Sequence, residues 1–120
     1  MTTSFSRPVP YEVWRMPFEY EDRPGQLKHR PVVVVDVDGD ALLVLAVKVT
    51  GHGPRQGYPG EVRLADWAAC GLSKPSCVRC SKAAVFDVAA FEGAERYGML
   101  TPRDQRAVRE GHLDAGVATL

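Results

Sequence analysis

The chain has 120 residues, of which 45% are hydrophobic and 25% charged, as expected for one globular domain with a core of its own. Its 15 Lys and Arg residues balance its 15 Asp and Glu residues. No excess of positive charge therefore indicates nucleic acid or an anionic membrane as a partner, and any RNA binding has to come from local clusters of cations.

The N-terminal ten residues lack the apolar core of a secretory signal, so we expect no export. Aspartates at positions 36, 38 and 40 interrupt the longest apolar region, which excludes a membrane span. Three cysteines, an odd number, fit a reducing cytoplasm better than a disulfide framework. We therefore predict a cytoplasmic protein with a flexible arm, residues 1–10, and one domain, residues 11–120.

The first predicted strand covers residues 11–20, where large apolar and polar side chains alternate as far as Met16. Pro17 indicates an edge position or a bulge, because proline has no N–H to donate to a sheet. Trp14 and Phe18 share one face of this strand and are predicted to be core residues. Residues 21–26 are rich in turn formers and are predicted to be a charged loop.

A hairpin is predicted at the centre of the chain. Two apolar runs, Val32–Val37 and Ala41–Val49, flank the pair Asp38-Gly39, which is a strong signal for a tight turn with positive φ. The runs are nearly continuous rather than alternating, so we expect both faces of these strands to be covered.

The open end of this hairpin is the first candidate site. A hairpin brings its two open ends together, so His29 and Arg30 should lie near Lys48 and Thr50. A cation, a hydroxyl group and an imidazole would then share the mouth of a rigid hairpin.

Residues 51–60 form a second candidate region, with four glycines and two prolines. This composition predicts an irregular loop, and loops on a rigid scaffold often carry function. Two roles are open for Tyr58: stacking on an unpaired base, or anchoring the loop in the wall of the barrel. Arg55 and Lys48 are candidate phosphate contacts.

Two further strands are predicted after this loop. Residues 61–64 form a short strand, and residues 65–70 form one helical turn with Trp67 pointing inward. A longer strand region covers residues 76–88, with Val85 and Phe86 as core candidates.

A C-terminal helix is predicted from its start signals. Thr101 is placed as the N-cap and Pro102 at the first helical position, with Asp104 favourable in the first turn. Gly111 is the predicted stop. The fold class is therefore mainly β, with five or six short strands and one C-terminal helix.

The three cysteines raise the question of a zinc site. If residues 77–80 are extended, Cys77 and Cys80 point to opposite faces and cannot share a metal ion. We therefore expect no metal site, and free thiols at these positions and at Cys70.

A series of short motifs runs through the chain. They are Val13-Trp14, Gln26, His29-Arg30-Pro31 before a valine run, Val49-Thr50-Gly51, Gly57-Tyr58-Pro59 followed by Glu61-Val62, the stretch 72–80, and Gly98-Met99-Leu100-Thr101 before a helix. In this order they resemble the MazF/PemK/Kid family of toxins from bacterial toxin-antitoxin modules, over roughly residues 11–115. The resemblance implies a small SH3-like barrel, a homodimer, and metal-independent ribonuclease activity that an antitoxin holds in check.

Cleavage of RNA without a metal ion requires a base, an acid and positive charge beside the phosphorane. Arg30 suits the charge role, because a guanidinium stays protonated and forks onto two phosphate oxygens. The resemblance implies that Thr50 donates a hydrogen bond to the phosphate and that Arg79 takes part in catalysis. The alternatives are an Arg30 that pairs with Asp22 and a Thr50 that caps its own turn.

The chain departs from the family pattern at two carboxylates. Gly25 and Ser81 stand where the family's two branches place acidic residues. Another group must then transfer the proton, and a histidine is chemically adequate because its usual pKa lies near working pH. The available groups are His29, His52, Glu21 and Asp22.

Two function classes follow. The first is a sequence-selective endoribonuclease toxin that acts on single-stranded RNA, with catalytic residues Arg30, Thr50, Arg79 and His29 and RNA contacts from Gln26, Lys48, His52, Arg55 and Tyr58. The second is a binding protein on the same barrel, either a degenerate toxin or one that poisons a protein target such as gyrase. The missing carboxylates favour the second class, and the retained motifs favour the first.

Overall fold

The structure is a computed structural model that describes residues 6–20 and 22–120. The first half of the predicted arm and Glu21, one of the candidate proton donors, therefore lie outside the described residues. Within the rest of residues 1–10, Pro8 is fully buried and the backbone N–H of Val9 donates to the Glu12 carboxylate at 2.7 Å.

The structure confirms a mainly β fold with a C-terminal helix. The strands are β1 (Glu12–Tyr20), β2 (Arg23–Asp38), β3 (Leu43–Thr50), β4 (Glu61–Arg63), β5 (Cys77–Asp87) and β6 (Arg96–Met99). A short 3-10 helix covers Val88–Phe91, and the helix α1 covers Pro102–Ala115. In the described part of the chain the strands form one sheet in the order β4-β5-β3-β2-β1-β6, with antiparallel neighbours throughout. The sheet curls into a half-barrel.

The two faces of the sheet bury separate apolar clusters, because successive side chains of a strand point to opposite faces. On the first, which we call the helix face, Val33, Val47 and Val78 pack with Val108 of α1. On the second, which we call the pocket face, the residues Trp14, Met16, Phe18, Val32, Val34, Val44 and Ala46 pack with Val88 and Phe91. Trp14 and Phe18 are therefore core residues, as predicted.

The turn between β2 and β3 is longer than predicted. Residues 39–42 connect the strands, and the Asp38 carboxylate accepts the backbone N–H groups of Asp40 and Ala41, both at 3.0 Å. The positive φ falls on Leu42, at 58°, and not on Gly39. The prediction of a tight Asp38-Gly39 turn was wrong, because the aspartate side chain itself satisfies the turn amides and so supports a wider loop.

The predicted loop over residues 21–26 is also mostly strand. β2 begins at Arg23, and the Glu19 carboxylate accepts the backbone N–H of Gly25 at 2.8 Å. A register shift follows Glu19 in the pairing of β1 with β2. Pro17 lies beyond the residues of β1 that pair with β6, which is the local edge position that its missing N–H predicts.

One of the two core candidates in β5 is exposed. The pairing of β3 with β5 shifts between Val47 and Lys48, and residues 80–82 of β5 bulge out. After this bulge Phe86 faces the second cluster and contacts Phe91, with ring centroids 5.8 Å apart. Val85 must then point to the other face, where it is 54% exposed. Its prediction as a core residue was wrong, because the bulge changes which residues of β5 face inward.

The helix α1 runs past its predicted stop. Gly111 is buried in the helix, and a Cβ there would lie 2.5 Å from Val62 and 3.2 Å from the Cys80 sulfur. Gly116, with a φ of 69°, is the C-cap. Gly111 is therefore glycine because the helix approaches β4 and β5 closely, and the prediction of a stop there was wrong. None of the described helices is both long and apolar enough to cross a membrane.

Hydrogen bonds to two carboxylates attach the start of α1 to the loop that follows β4. Asp104 is 2% exposed and accepts the backbone N–H groups of Ala65 and Asp66, at 2.9 and 2.8 Å. Thr101 donates its hydroxyl to Asp66 at 2.6 Å and does not bond the helix N–H groups. Hydrogen bonds from Arg103 and Thr101 lower the pKa of Asp66 to about 2.

Cys70, Cys77 and Cys80 are free, buried thiols. Cys80 belongs to the cluster on the helix face, whereas Cys77 belongs to neither cluster, as expected if the two side chains leave β5 on opposite faces. Burial raises the pKa of all three, for Cys80 to about 12.

We predict that Asp104→Asn lowers the free energy of unfolding by about 1 to 3 kcal/mol, because the amide nitrogen cannot accept one of the two buried N–H groups. Chemical denaturation measures this difference. Asp114→Asn, an exposed position on the same helix, is the matched control and should change stability by less than about 0.5 kcal/mol. Equal effects of the two substitutions would contradict this role of Asp104.

Candidate functional site

A cavity of about 620 Å³ lies beside residues 28–31 in the middle of β2 and residues 48–52 at the end of β3. Its walls carry ten residues with cationic, imidazole or hydroxyl side chains: Tyr20, Lys28, His29, Arg30, Lys48, Thr50, His52, Lys74, Ser76 and Arg79. The predicted convergence of His29 and Arg30 with Lys48 and Thr50 is confirmed. Gln26, Arg55 and Tyr58 do not line this cavity.

The strand period explains why these side chains meet. Val32 pairs with Lys48 across β2 and β3, and Val32 lies on the pocket face. Arg30, two residues before Val32, and Thr50, two residues after Lys48, therefore point to the same face. Along the same two strands, the apolar cluster of the pocket face is therefore followed by a group of cationic side chains.

Arg30 presents an unsatisfied donor in this cavity. It lies opposite Met16 of β1, and its Nε is buried with no hydrogen-bond partner among the described residues. The alternative pairing with Asp22 does not occur among the described residues, although Asp22 also lines the cavity. An unsatisfied buried donor costs about 1 to 3 kcal/mol, which an anionic oxygen would relieve.

Thr50 is buried at the end of β3. Its Oγ1 accepts the backbone N–H of His52 at 3.3 Å, which is the turn-capping contact considered from the sequence. Because a hydroxyl accepts and donates at once, its proton remains available to a group in the cavity.

Lys48 and Arg79 place two nearly buried cations side by side. They pair directly across β3 and β5 and are 4% and 8% exposed. Like charges in such a pair repel and need a counter-charge. Glu61 supplies one, since it pairs with Arg79 across β4 and β5 and its Oε1 lies 3.4 Å from the Arg79 Nε.

Glu61 was missed as a functional candidate by sequence reasoning. Its side chain is 2% exposed and accepts hydrogen bonds from the backbone N–H and the Nε of Arg55, at 3.3 and 2.8 Å. Arg55 in turn places its guanidinium carbon 4.0 Å from the ring centroid of Tyr58. Tyr58 is 55% exposed, so it does not tuck into the wall of the barrel.

The structure explains why position 25, where the family resemblance implies an acidic residue, is a glycine. Gly25 has a φ of 83°, a backbone conformation that an acidic side chain adopts only at a cost. Ser81 at the second position does not line the cavity. Asp22 is the acidic residue that lines the cavity within the described part of the chain.

Lys74 is a second residue of the cavity that sequence reasoning missed. A Cβ on Gly51 would lie 2.8 Å from the Lys74 Cε and 2.9 Å from its Nζ, so the absence of a side chain at Gly51 lets this lysine cross the backbone beside Thr50. The glycine after Thr50 was visible in the sequence, but nothing local indicates that a lysine from a distant turn fills the space.

The lining therefore suits an anion. Cationic and hydroxyl donors predominate among the described residues around the cavity, whereas Mg²⁺ and Ca²⁺ prefer carboxylate and carbonyl oxygens. Arg and Lys are the side chains that proteins use to hold phosphate groups.

Comparison with known proteins gives one family. A family profile described as "PemK-like, MazF-like toxin of type II toxin-antitoxin system" matches residues 10–111. No curated protein sequence matches the chain.

Solved structures share the fold. An endoribonuclease from a mycobacterial species has a TM-score of 0.67 and 16% identity, over 92% of this chain and 91% of that chain. MazF (Form-I) from Deinococcus radiodurans has a TM-score of 0.65 and 21% identity, over 90% and 94%. A mycobacterial endoribonuclease in complex with its cognate antitoxin has a TM-score of 0.63 and 17% identity, over 94% and 99%. These likenesses confirm the predicted fold class.

We predict that sulfate binds in the cavity and stabilises the protein by about 1.4 kcal/mol at ten times its dissociation constant. Thermal unfolding in sodium sulfate and in sodium chloride of equal ionic strength measures the effect. Arg30→Met should abolish the site-specific part and leave only the general effect of sulfate. Arg106→Met, on the exposed surface of α1, is the control and should respond like the wild type; an unchanged response of Arg30→Met would contradict the prediction.

Proposed function

Because this chain belongs to the PemK-like, MazF-like toxins of type II toxin-antitoxin systems, we propose that it acts as an endoribonuclease on single-stranded RNA. The observation that carries this proposal is the buried, unsatisfied Nε of Arg30 in a cavity shared with Thr50 and Arg79. A phosphodiester is the anion that an RNA strand would deliver to these donors.

The proposed reaction uses the RNA itself as nucleophile. The 2′-hydroxyl attacks the adjacent phosphorus, the bond to the 5′-oxygen breaks, and the products carry a 2′,3′-cyclic phosphate and a 5′-hydroxyl. The protein's contribution is then charge stabilisation and proton transfer. Neither step requires a metal ion, and the cation-rich lining favours this metal-independent route.

Each catalytic candidate has a distinct task in this scheme. Arg30 binds the equatorial phosphate oxygens through its guanidinium, and Thr50 donates its hydroxyl to the same phosphate. Arg79 adds positive charge as the phosphorane forms. His29 is the proposed proton carrier, because it lines both the main cavity and a second cavity of about 370 Å³.

The remaining contacts would hold the strand outside the reacting phosphate. Lys48 and His52 line the cavity and suit the neighbouring phosphates. Arg55 and Tyr58 lie on the loop beyond its rim, and Gln26 is exposed near the start of β2. Their different positions suggest that flanking nucleotides are read by residues other than those that cleave.

A cognate antitoxin and a second copy of the chain are the expected protein partners. One solved structure of this fold is an endoribonuclease in complex with its cognate antitoxin, and another is a MazE-MazF complex from Deinococcus radiodurans. We propose that an antitoxin restrains this toxin and that the active form is a homodimer.

A binding role without cleavage is the second candidate. Gly25 and Ser81 at the two carboxylate positions favour it, because a cavity without a competent proton donor would bind an anion and not cleave it. Such a toxin would act on a protein target, with gyrase as one example of the target class.

We predict that the purified protein cleaves a long single-stranded RNA in EDTA at discrete positions and leaves 2′,3′-cyclic phosphate ends. Mapping of the fragment ends measures both properties. Arg30→Met should lower kcat by about 100- to 1,000-fold, the usual effect of removing one donor to a developing oxyanion.

Arg106→Met is the matched control, an exposed arginine on the helix that packs on the other face of the sheet, and it should cleave like the wild type. Intact RNA after incubation with a folded wild-type protein would overturn the ribonuclease and favour the binding role. Equal rates for Arg30→Met and the wild type would overturn the assignment of the site.

A further inference from the structure

Three side chains stacked on one another join the loop over residues 51–60 to the first residue of β4, and none of the three contacts the reacting phosphate in the proposed scheme. The innermost group is the buried carboxylate of Glu61, the middle group the guanidinium of Arg55, and the outer group the ring of Tyr58. The three groups follow one another from the interior to the surface, and only the outermost is mostly exposed.

Glu61 fixes the position of the Arg55 side chain. Its Oε1 accepts the Nε of Arg55 at 2.8 Å and the Arg55 backbone N–H at 3.3 Å, so both ends of the arginine are held by one carboxylate. A buried charge is costly unless it is paired, and this cost disfavours any arrangement in which Arg55 swings away into solvent.

The backbone next to Tyr58 is also fixed in position, by the packing of Gly60 against α1. Gly60, with a φ of 79°, lies so close to α1 that a Cβ there would meet the Gly111 carbonyl oxygen at 2.9 Å and the Ala115 Cβ at 2.8 Å. Its own carbonyl accepts the N–H of Cys80 at 2.9 Å. The ring of Tyr58, two residues away, is therefore carried by a loop whose end is clamped between the helix and the sheet.

The Arg55 guanidinium covers one face of the Tyr58 ring. The residue as a whole remains 55% exposed, so it offers accessible surface beyond its contact with Arg55. A flat, preorganised aromatic face backed by a cation is suited to stacking an unpaired nucleobase.

The same carboxylate also reaches the cavity. The Oε1 of Glu61 lies 3.4 Å from the Nε of Arg79, and Arg79 lines the cavity with Arg30 and Thr50. Glu61 thus contacts one arginine that faces the reacting phosphate and another that backs the exposed ring.

We propose that Tyr58, Arg55 and Glu61 form a nucleobase subsite beside the cleavage pocket, in which an unpaired base of the RNA stacks on Tyr58 and Glu61 positions the two arginines. This inference rests on the proposed function for its substrate, single-stranded RNA. Glu61 is a positioning residue in it, because it contacts the arginines and not the RNA.

The test uses uncleavable 2′-O-methyl RNA oligonucleotides of about 12 nucleotides, within the usual range of single-strand sites. Each carries the fluorescent base 2-aminopurine at one successive position, and fluorescence anisotropy gives its affinity. We expect binding to the wild type to quench the fluorescence at one or two adjacent positions. Tyr58→Ala should remove this quenching and weaken binding about 5- to 150-fold.

Tyr58→Phe is the matched control, since it keeps the ring and removes only the hydroxyl, and it should retain the quenching. With an abasic residue at the quenched position, wild type and Tyr58→Ala should bind equally, an outcome that a merely structural role of Tyr58 would not produce. Glu61→Gln should lower kcat through Arg79 and raise KM through Arg55, whereas Tyr58→Ala should raise KM alone. Thermal unfolding of each variant verifies that it is folded.

The outcomes separate the two proposals. Quenching that depends on Tyr58, from a wild-type protein that leaves natural RNA intact, supports the subsite and overturns the ribonuclease. Normal cleavage and unaltered binding by Tyr58→Ala overturn the subsite and leave the ribonuclease standing. Absence of quenching at every position in the wild type overturns the subsite as well.

Discussion

The pairing register of β2 with β3 is the constraint on which the rest of the structure depends. Val32 lies opposite Lys48, so the strand period turns Arg30 and Thr50 toward the same face of the sheet. A slip of one residue in this pairing would turn the cationic side chain of one strand to the helix face, away from that of the other strand. The apolar halves of the two strands therefore hold together cations that would otherwise repel one another.

Concentrating cations in this way has an electrostatic cost, and the short strand β4 offsets part of it. β4 adds Glu61 beside Arg79 at the sheet edge, and the same carboxylate anchors Arg55. The Glu61 carboxylate thus reduces the repulsion among the cations of the cavity in the free protein, and it also orders the loop beside the cavity. This dual contact gives a physical reason for the Gly-Tyr-Pro stretch to be followed at once by a strand that begins with glutamate.

The sequence predicted those features that depend on local periodicity and chain reversal. The fold class, the burial of Trp14 and the meeting of Arg30 with Thr50 all follow from strand alternation and one hairpin. Features set by distant contacts were not predictable: the bulge in β5 that exposes Val85, the close helix packing that requires Gly111, and the lysine that crosses Gly51. Glu61 was missed for the same reason, because its partners are known only once β4 has been placed against β5.

In the proposed reaction, the phosphate at the cleaved bond binds to Arg30 at the open end of the hairpin. A crystal structure of the wild-type protein with an uncleavable 2′-O-methyl RNA, spanning a mapped cleavage position, tests this claim most directly. We predict a phosphate oxygen within hydrogen-bond distance of the Arg30 Nε, with the Thr50 hydroxyl donating to the same phosphate. A strand that leaves the Arg30 Nε without a phosphate partner, or crosses the helix face of the sheet, would contradict it.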